Sequence, residues 1–232
     1  MTFFQNLLDI FTFTDKRELL DPSRFDDEVA LKVSWAPLVG GGSNFCTHRL
    51  QSTSGLSRSG LEFKTTFSVY LFWGAFISIA LASLAFHTIP NLLSGEGLDG
   101  GASLIPIAFL VLGIWSLSRL RGQESRFDRS TGQFTKGPHR ISLRDVHALQ
   151  LIREYISGNH SYYSYELNLV HRDGRRFNLT DHGSLRAIRE DADQLGRYLG
   201  VPIWDAIDYR IPEGLLQCDR KAELLGHHLM KG

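Results

Sequence analysis

The residues able to do chemistry are scattered through the chain. There are nine histidines and two cysteines, and the tightest spacings are Cys46-x-His48, on one face of a strand, and the adjacent pair His227-His228. Thiolate and imidazole both ligate zinc, but a site needs three or four donors, and no His-Glu-x-x-His, Cys-x-x-Cys or close His/Asp cluster supplies them. Cys46 and Cys218 are too few for a disulfide framework and read as reduced thiols. Asp145 with His147, and Asp181 with His182, have the types of general acid–base pairs. Neither has a nucleophile at a telling spacing, so both read as turn and cap residues. Gly40-Gly41-Gly42 lacks the Lys-Ser/Thr that completes a phosphate loop and reads as a hairpin turn. The expectation is no enzyme, no metal and no cofactor.

Anion contact is the one chemistry for which side chains gather. Arg119, Arg121, Arg126 and Arg129 follow one another closely, and Arg172, Arg175 and Arg176 surround Asp173-Gly174. Near a bilayer each such cation contributes about 1 kcal/mol toward anionic lipid. Fixing the topology of a membrane segment is the first role read for the earlier group, and anionic-lipid contact the alternative for all seven.

Two apolar blocks position these arginines. Phe67 to Phe86 is a 20-residue run inside a window free of charge from Lys64 to Glu96, and 102–118 is a second, shorter run ending at Arg119. At 1.5 Å per residue the first crosses a hydrocarbon core of about 30 Å. Pro106 lies in the first turns of the second, and Gly74 and Gly113 offer close helix contact. Arg49, Arg58 and Lys64 precede the pair, five basic residues follow it, and the connecting loop His87–Gly101 has none. The positive-inside rule therefore predicts both termini in the cytosol, with Tyr70, Trp73 and Trp115 at that interface. The N-terminus lacks a basic region, so no cleaved signal peptide is expected. The 25 basic and 25 acidic residues cancel, which argues against nucleic acid as a partner.

Residues 3–13 show a helical apolar face of Phe3, Phe4, Leu7, Leu8 and Phe11. Three strand-like pieces follow: Ala30–Ala36, where Leu31, Val33 and Trp35 alternate with polar residues, then Ser43–Gln51 and Leu61–Thr65. After the second span, 126–134 reads as strand-turn-strand, 141–146 as a short strand or turn, and 148–156 as a longer strand. Tyr163, Tyr165, Leu167 and Leu169 share a strand face, Asp173-Gly174 signals a two-residue hairpin, and Phe177 and Leu179 resume the inward face. Ser184 begins a helix with the stripe Leu185, Ile188, Ala192, Leu195 and Leu199, and Gly200 and Pro202 end it. Ile203 and Trp204 are expected to fold back on the core.

The order of a two-helix hairpin, FDRSTGQ (127–133), ISLRDVHALQL (141–151), YELNLVHRDGRRFNL (165–179) and RYLGVPIWD (197–205) resembles bacterial two-span membrane proteins with a pleckstrin-homology-like cytosolic domain. It is similar in layout to the thylakoid photosystem I assembly factor. The resemblance implies a scaffold or assembly role rather than a reaction.

The expected fold is thus an α+β membrane protein, a two-helix transmembrane hairpin plus a cytosolic antiparallel β meander, pleckstrin-homology-like, closed by a C-terminal amphipathic helix. The expected parts are an N-terminal amphipathic helix and β-rich cytosolic segment (1–65), the hairpin (66–120, spans 67–86 and 102–118), the β-meander and helix domain (121–210) and a tail (211–232). The functional expectation is a non-enzymatic protein of the bacterial inner membrane whose cytosolic domain binds a protein partner, for scaffolding, complex assembly or toxin immunity. An anionic-lipid-binding module is the alternative and a membrane-bound enzyme the third reading. Membrane lipids, another protein and a second copy of the chain are the partners considered.

Overall fold

A computed structural model describes residues 17–55, 58–95, 100–122, 124–158 and 160–216. The helix expected over 3–13, Cys218, His227, His228 and the tail from 217 lie outside these residues. The chain is α+β, with two apolar helical rods and two largely antiparallel sheets.

The first rod is α1 (Phe67–Ser83), a π-helical turn (Leu84–Thr88) and α2 (Ile89–Leu93); the second is α3 (Gly100–Arg121). Both are long and apolar enough to cross a membrane. The first runs on past Phe86 to Leu93, so the expected connecting loop is partly helical. Its wider π turn stands just before Pro90, whose missing N–H interrupts the ordinary i→i−4 ladder. The rods meet at Gly113, where a Cβ would come within 2.8 Å of Ile77 Cγ1, and at the stacked rings of Phe76 and Phe109. Gly74 makes no such approach. Phe86 and Leu93 are 85% and 82% exposed, as a soluble core helix would not leave them.

The first sheet is β1 (His48–Gly55), β2 (Arg58–Thr65), β3 (Ser125–Asp128), β4 (Gln133–Lys136) and β5 (His139–Ser142), paired in that order. The second has the order β8-β7-β6-β9, from β6 (Val146–Ile156), β7 (Tyr162–His171), β8 (Arg176–His182) and β9 (Ile203–Asp205). β9 runs parallel to β6, which brings Ile203 and Trp204 back as expected.

Two features depart from a single meander after the hairpin. β2 pairs with β3, so strands from before and after the membrane-length rods share one sheet. A 3-10 turn over Leu143–Asp145, with the Ser142 hydroxyl accepting from Arg144 N, turns the chain between β5 and β6 and sends them to different sheets.

The main core lies between the sheets. Leu50, Leu61, Phe63, Phe127 and Phe134 of the first meet Leu149, Leu151, Leu167, Leu169 and Leu179 of the second. Helix α4 (Leu185–Leu199) adds Ile188, Ala192 and Leu195, the predicted stripe. Each such side chain contributes roughly 1.5–3 kcal/mol when removed from water. Ser184 has the extended backbone of an N-cap, but its hydroxyl makes no cap bond; instead its N–H donates to His182 Nδ1 at 3.2 Å. Gly200 closes the helix at φ 72°.

A second core covers the other face of the second sheet. Leu20, Ala30, Val33 and Trp35 pack on Ala148, Val170, Trp204 and Ala206, with Phe25 stacked on Trp35. The stretch Ala30–Ala36 is therefore not a strand. The Asp27 carboxylate accepts from Val29 N, and Lys32 N and Val33 N both donate to Val29 O, forming a turn. Ala30, Val33 and Trp35 point inward while Leu31 is 54% exposed, which breaks the apparent alternation. The next two pieces are β1 and β2, with shifted bounds. The short α5 (Glu213–Leu216) joins this layer, with Leu215 O accepting from Trp35 N at 3.1 Å, so the first residues of the expected tail are packed.

The Asp173-Gly174 hairpin has three loop residues, one more than expected. His171 N donates to Arg175 O and Gly174 N to His171 O, with Gly174 at φ 87° in the left-handed position such a loop requires.

Candidate functional site: a cleft between two edge strands

β5 and β8 are edge strands of different sheets, and they flank a cleft of about 520 Å³. Val39, Phe134, Pro138 and Phe177 give it apolar walls, Lys136, His139, Arg176 and Asp181 give it polar ones, and Gly122, just past α3, also lines it. The His139 and Phe177 rings stand 6.0 Å apart across the seam. His48 fixes this domain to the helical rods: its Nε2 lies 3.1 Å from Leu120 O, and the Thr66 hydroxyl donates to Cys46 O at 2.9 Å.

Lys136 holds the two sides together. Its Nζ donates to Asn178 O (2.8 Å), Asn178 Oδ1 (3.2 Å) and Leu179 O (3.1 Å), where β8 bulges against β7. Three acceptors match the three donors of an ammonium. Burial brings its pKa down to about 8, against the attraction of Glu166.

One wall is a strap, residues 36–43, laid over the second sheet. Glu166 accepts from Leu38 N at 2.9 Å, Val39 N at 2.8 Å and the Asn168 amide. Arg176 donates to Ala36 O and Gln150 Oε1, both at 2.9 Å. Gly41 N donates to Glu154 Oε2, and the Tyr162 hydroxyl to Gly42 O. The Ser164 hydroxyl donates to Asp181 Oδ1. Burial pushes Asp181 up to about 7; Ser164 opposes this, and Glu166 and Glu154 add to it. Burial also raises Glu166, opposed by the strap N–H groups. The triple glycine is thus no hairpin turn. Gly42 needs its bare α-carbon because the strap runs directly over Asp181 and Ser164.

The acid–base pairs of the sequence do not form. His147 binds Asp27 at 2.7 Å and leans on Trp204, away from Asp145. Asp181 lies beneath the strap, whereas His182 Nε2 comes within 3.8 Å of Cys46 Sγ. The Cys46–His182 pair has the types of a nucleophilic dyad. Burial raises the thiol and lowers the imidazole to about 4, so both are neutral near pH 7, the opposite of an activated thiolate. His48 faces Leu120 and Thr65 rather than joining Cys46. Among the described residues no three His, Cys, Asp or Glu side chains converge as metal ligands.

The seven arginines separate into three environments. Arg119 and Arg121 remain at the end of α3, over the rings of Trp115 and Tyr70. Arg126 stands opposite Glu62 in the β2–β3 ladder, and Arg129 stacks on Tyr198 (4.2 Å) while donating to Tyr198 O, so it ties the β3–β4 turn to α4. Arg176 is the strap anchor, Arg175 pairs with Asp173 at 2.7 Å, and Arg172 is exposed in the same turn. Sequence reading missed Lys136, His139, Arg140 and Arg144. The signal for the first three was the basic run Lys136-Gly137-Pro138-His139-Arg140 around a turn dipeptide; Arg144 lies outside it.

No protein-family model and no curated protein matches this sequence.

Proposed function

We propose that this chain is a non-enzymatic protein of the bacterial inner membrane, with both termini cytosolic, whose pleckstrin-homology-like domain binds a protein partner in scaffolding, complex assembly or toxin immunity. The observation that carries the reading is the edge strand β5 beside the cleft that separates it from β8, whose own edge is partly taken by the strap at Ser43 and by Lys136. Sheet edges offer main-chain groups to a partner, and a groove beside them adds side-chain selection. Two apolar rods with exposed side chains, flanked by lysine and arginine, support the membrane hairpin. The test has two parts. Reporter fusions at Gly232 and after Glu62 should read cytosolic, and a tag at Gly97 external; an external C-terminal reporter overturns the orientation. Photo-crosslinking residues at Val39 and His139, which line the cleft, should give adducts with a protein in native membranes; no protein adduct from either site overturns partner binding.

A second reading is favoured by one observation: the cleft reaches Gly122, directly after α3, and combines apolar walls with Arg176 and His139. An anionic lipid headgroup has matching chemistry. Phosphate-bearing photo-lipids labelling Phe177 in place of any protein would favour it.

A further inference from the structure

β5 is the last strand of its sheet, and its first two residues, His139 and Arg140, are exposed. An edge strand presents a row of main-chain donors and acceptors to whatever lies beside it. Recesses lie on both flanks of β5, one of about 280 Å³ shared with His171 and Arg175 and one of about 190 Å³ shared with Gln133. Arg140, Ile141 and Ser142 line both. The surroundings have a charge bias that the neutral chain as a whole lacks. Arg144 follows in the 3-10 turn, and Arg172 N donates to Asp145 O at 3.0 Å, which brings the β7–β8 turn alongside. Asp173 is already engaged by Arg175 (2.7 Å) and His171 (2.8 Å). Among the described residues Arg140, Arg144 and Arg172 have no ion pair, and Asp145 is the one other carboxylate lining this surface.

We propose that the edge of β5 receives an extended acidic segment of a partner protein, which adds as a further strand and sets its carboxylates against Arg140, Arg144 and Arg172. This rests on the partner-binding reading and names the partner's chemistry. Successive side chains of an added strand point to opposite faces, so acidic residues at every second position would reach the arginines together. The backbone bonds of the new strand supply affinity and the charges supply selection and speed of encounter.

The experiment uses the full chain in nanodiscs of zwitterionic lipid and fluorescence anisotropy of labelled ten-residue peptides. One peptide alternates Val and Glu, one alternates Val and Lys, and one repeats the Val/Glu sequence with every backbone N–H methylated. The Val/Glu peptide should bind, and the other two should bind at least about tenfold more weakly, since one has the wrong charge and the other cannot donate to an edge. The triple variant Arg140→Glu, Arg144→Glu, Arg172→Glu should lose about tenfold or more in affinity for the Val/Glu peptide, with an unchanged circular dichroism spectrum. Equal binding of the N-methylated peptide would show simple charge attraction and overturn strand addition. No binding of the Val/Glu peptide overturns the acidic occupant. In that case a photo-crosslinker at Ser142 separates the two readings. A protein adduct that survives the triple variant leaves partner binding standing, whereas labelling of anionic lipid alone ends both.

Discussion

Leu61 and Phe127 are direct partners on adjacent strands, although both apolar rods lie between them in the chain. Both are buried in the core between the sheets. The strands on either side of the helical rods are therefore one folding unit. A fragment of residues 124–216 should be unfolded or aggregated, because it lacks β1 and β2 and leaves Phe127 and Phe134 uncovered. Joining 17–65 to 124–216 through about ten Gly/Ser residues, a flexible span of roughly 15–20 Å, should restore a cooperative thermal transition by circular dichroism. A folded 124–216 fragment would refute the shared sheet.

Leu195 is fully buried under the helix, and Arg186, on the same helix, is largely exposed. Leu195→Asp buries a charge with no partner and should cost about 3–5 kcal/mol, enough to unfold many domains. Arg186→Ala should change stability by less than about 0.5 kcal/mol. Proteolysis rates of the two variants in detergent give the comparison, and similar rates would contradict the packing of α4.

Gly42 and Gly40 offer a sharper pair. A Cβ at position 42 would stand 1.9 Å from Asp181 Oδ1 and 2.2 Å from Ser164 Oγ, whereas one at 40 meets its nearest atom, Glu154 Oε1, at 3.7 Å. Gly42→Ala should lower stability by about 1–3 kcal/mol and lift the strap, and Gly40→Ala should be near neutral. Hydrogen exchange at Leu38 and Val39, whose N–H groups bind Glu166, reports strap release directly. Unchanged protection in Gly42→Ala would mean that the strap does not lie against Asp181.

Asp181 makes stability depend on pH. Its carboxyl titrates at 3.8 ordinarily and at about 7 in the folded chain. Across that window the folded state holds a proton that the unfolded state has released, so this group's contribution falls as pH rises, by up to about 1.4 kcal/mol per unit, and is flat above. Burial holds His182 at about 4, which gives a slope of opposite sign between there and 6.5. The comparison of wild type with Asp181→Asn isolates the carboxyl: the variant should gain in relative stability from pH 4 to 7. Chemical denaturation at pH 4.5 and 7.5 measures this, and parallel shifts in both proteins would remove Asp181 as the cause.

The helical rods, the strand series β6 to β8 and helix α4 were legible because each is specified by a short local pattern. Continuous apolar residues mark 67–86, alternation marks Tyr165, Leu167 and Leu169, and a stripe with Gly200 behind it marks α4. Local pattern reports one buried face and is silent about what meets the other. Glu166 and Asn168 alternate with the leucines of β7, on the face that pattern leaves unassigned, and both are buried beneath the strap, since its main-chain N–H groups need the carboxylate as acceptor. The same limit applies to Trp35, whose neighbours suggested a strand, and to the β2–β3 ladder, which depends on the hairpin bringing its two ends together. It applies most to β5. Residues 141–146 read as a short strand or turn, whereas β5 spans His139–Ser142, and only the sheet order made it an edge, because a strand is an edge through what fails to pair with it and not through its own residues.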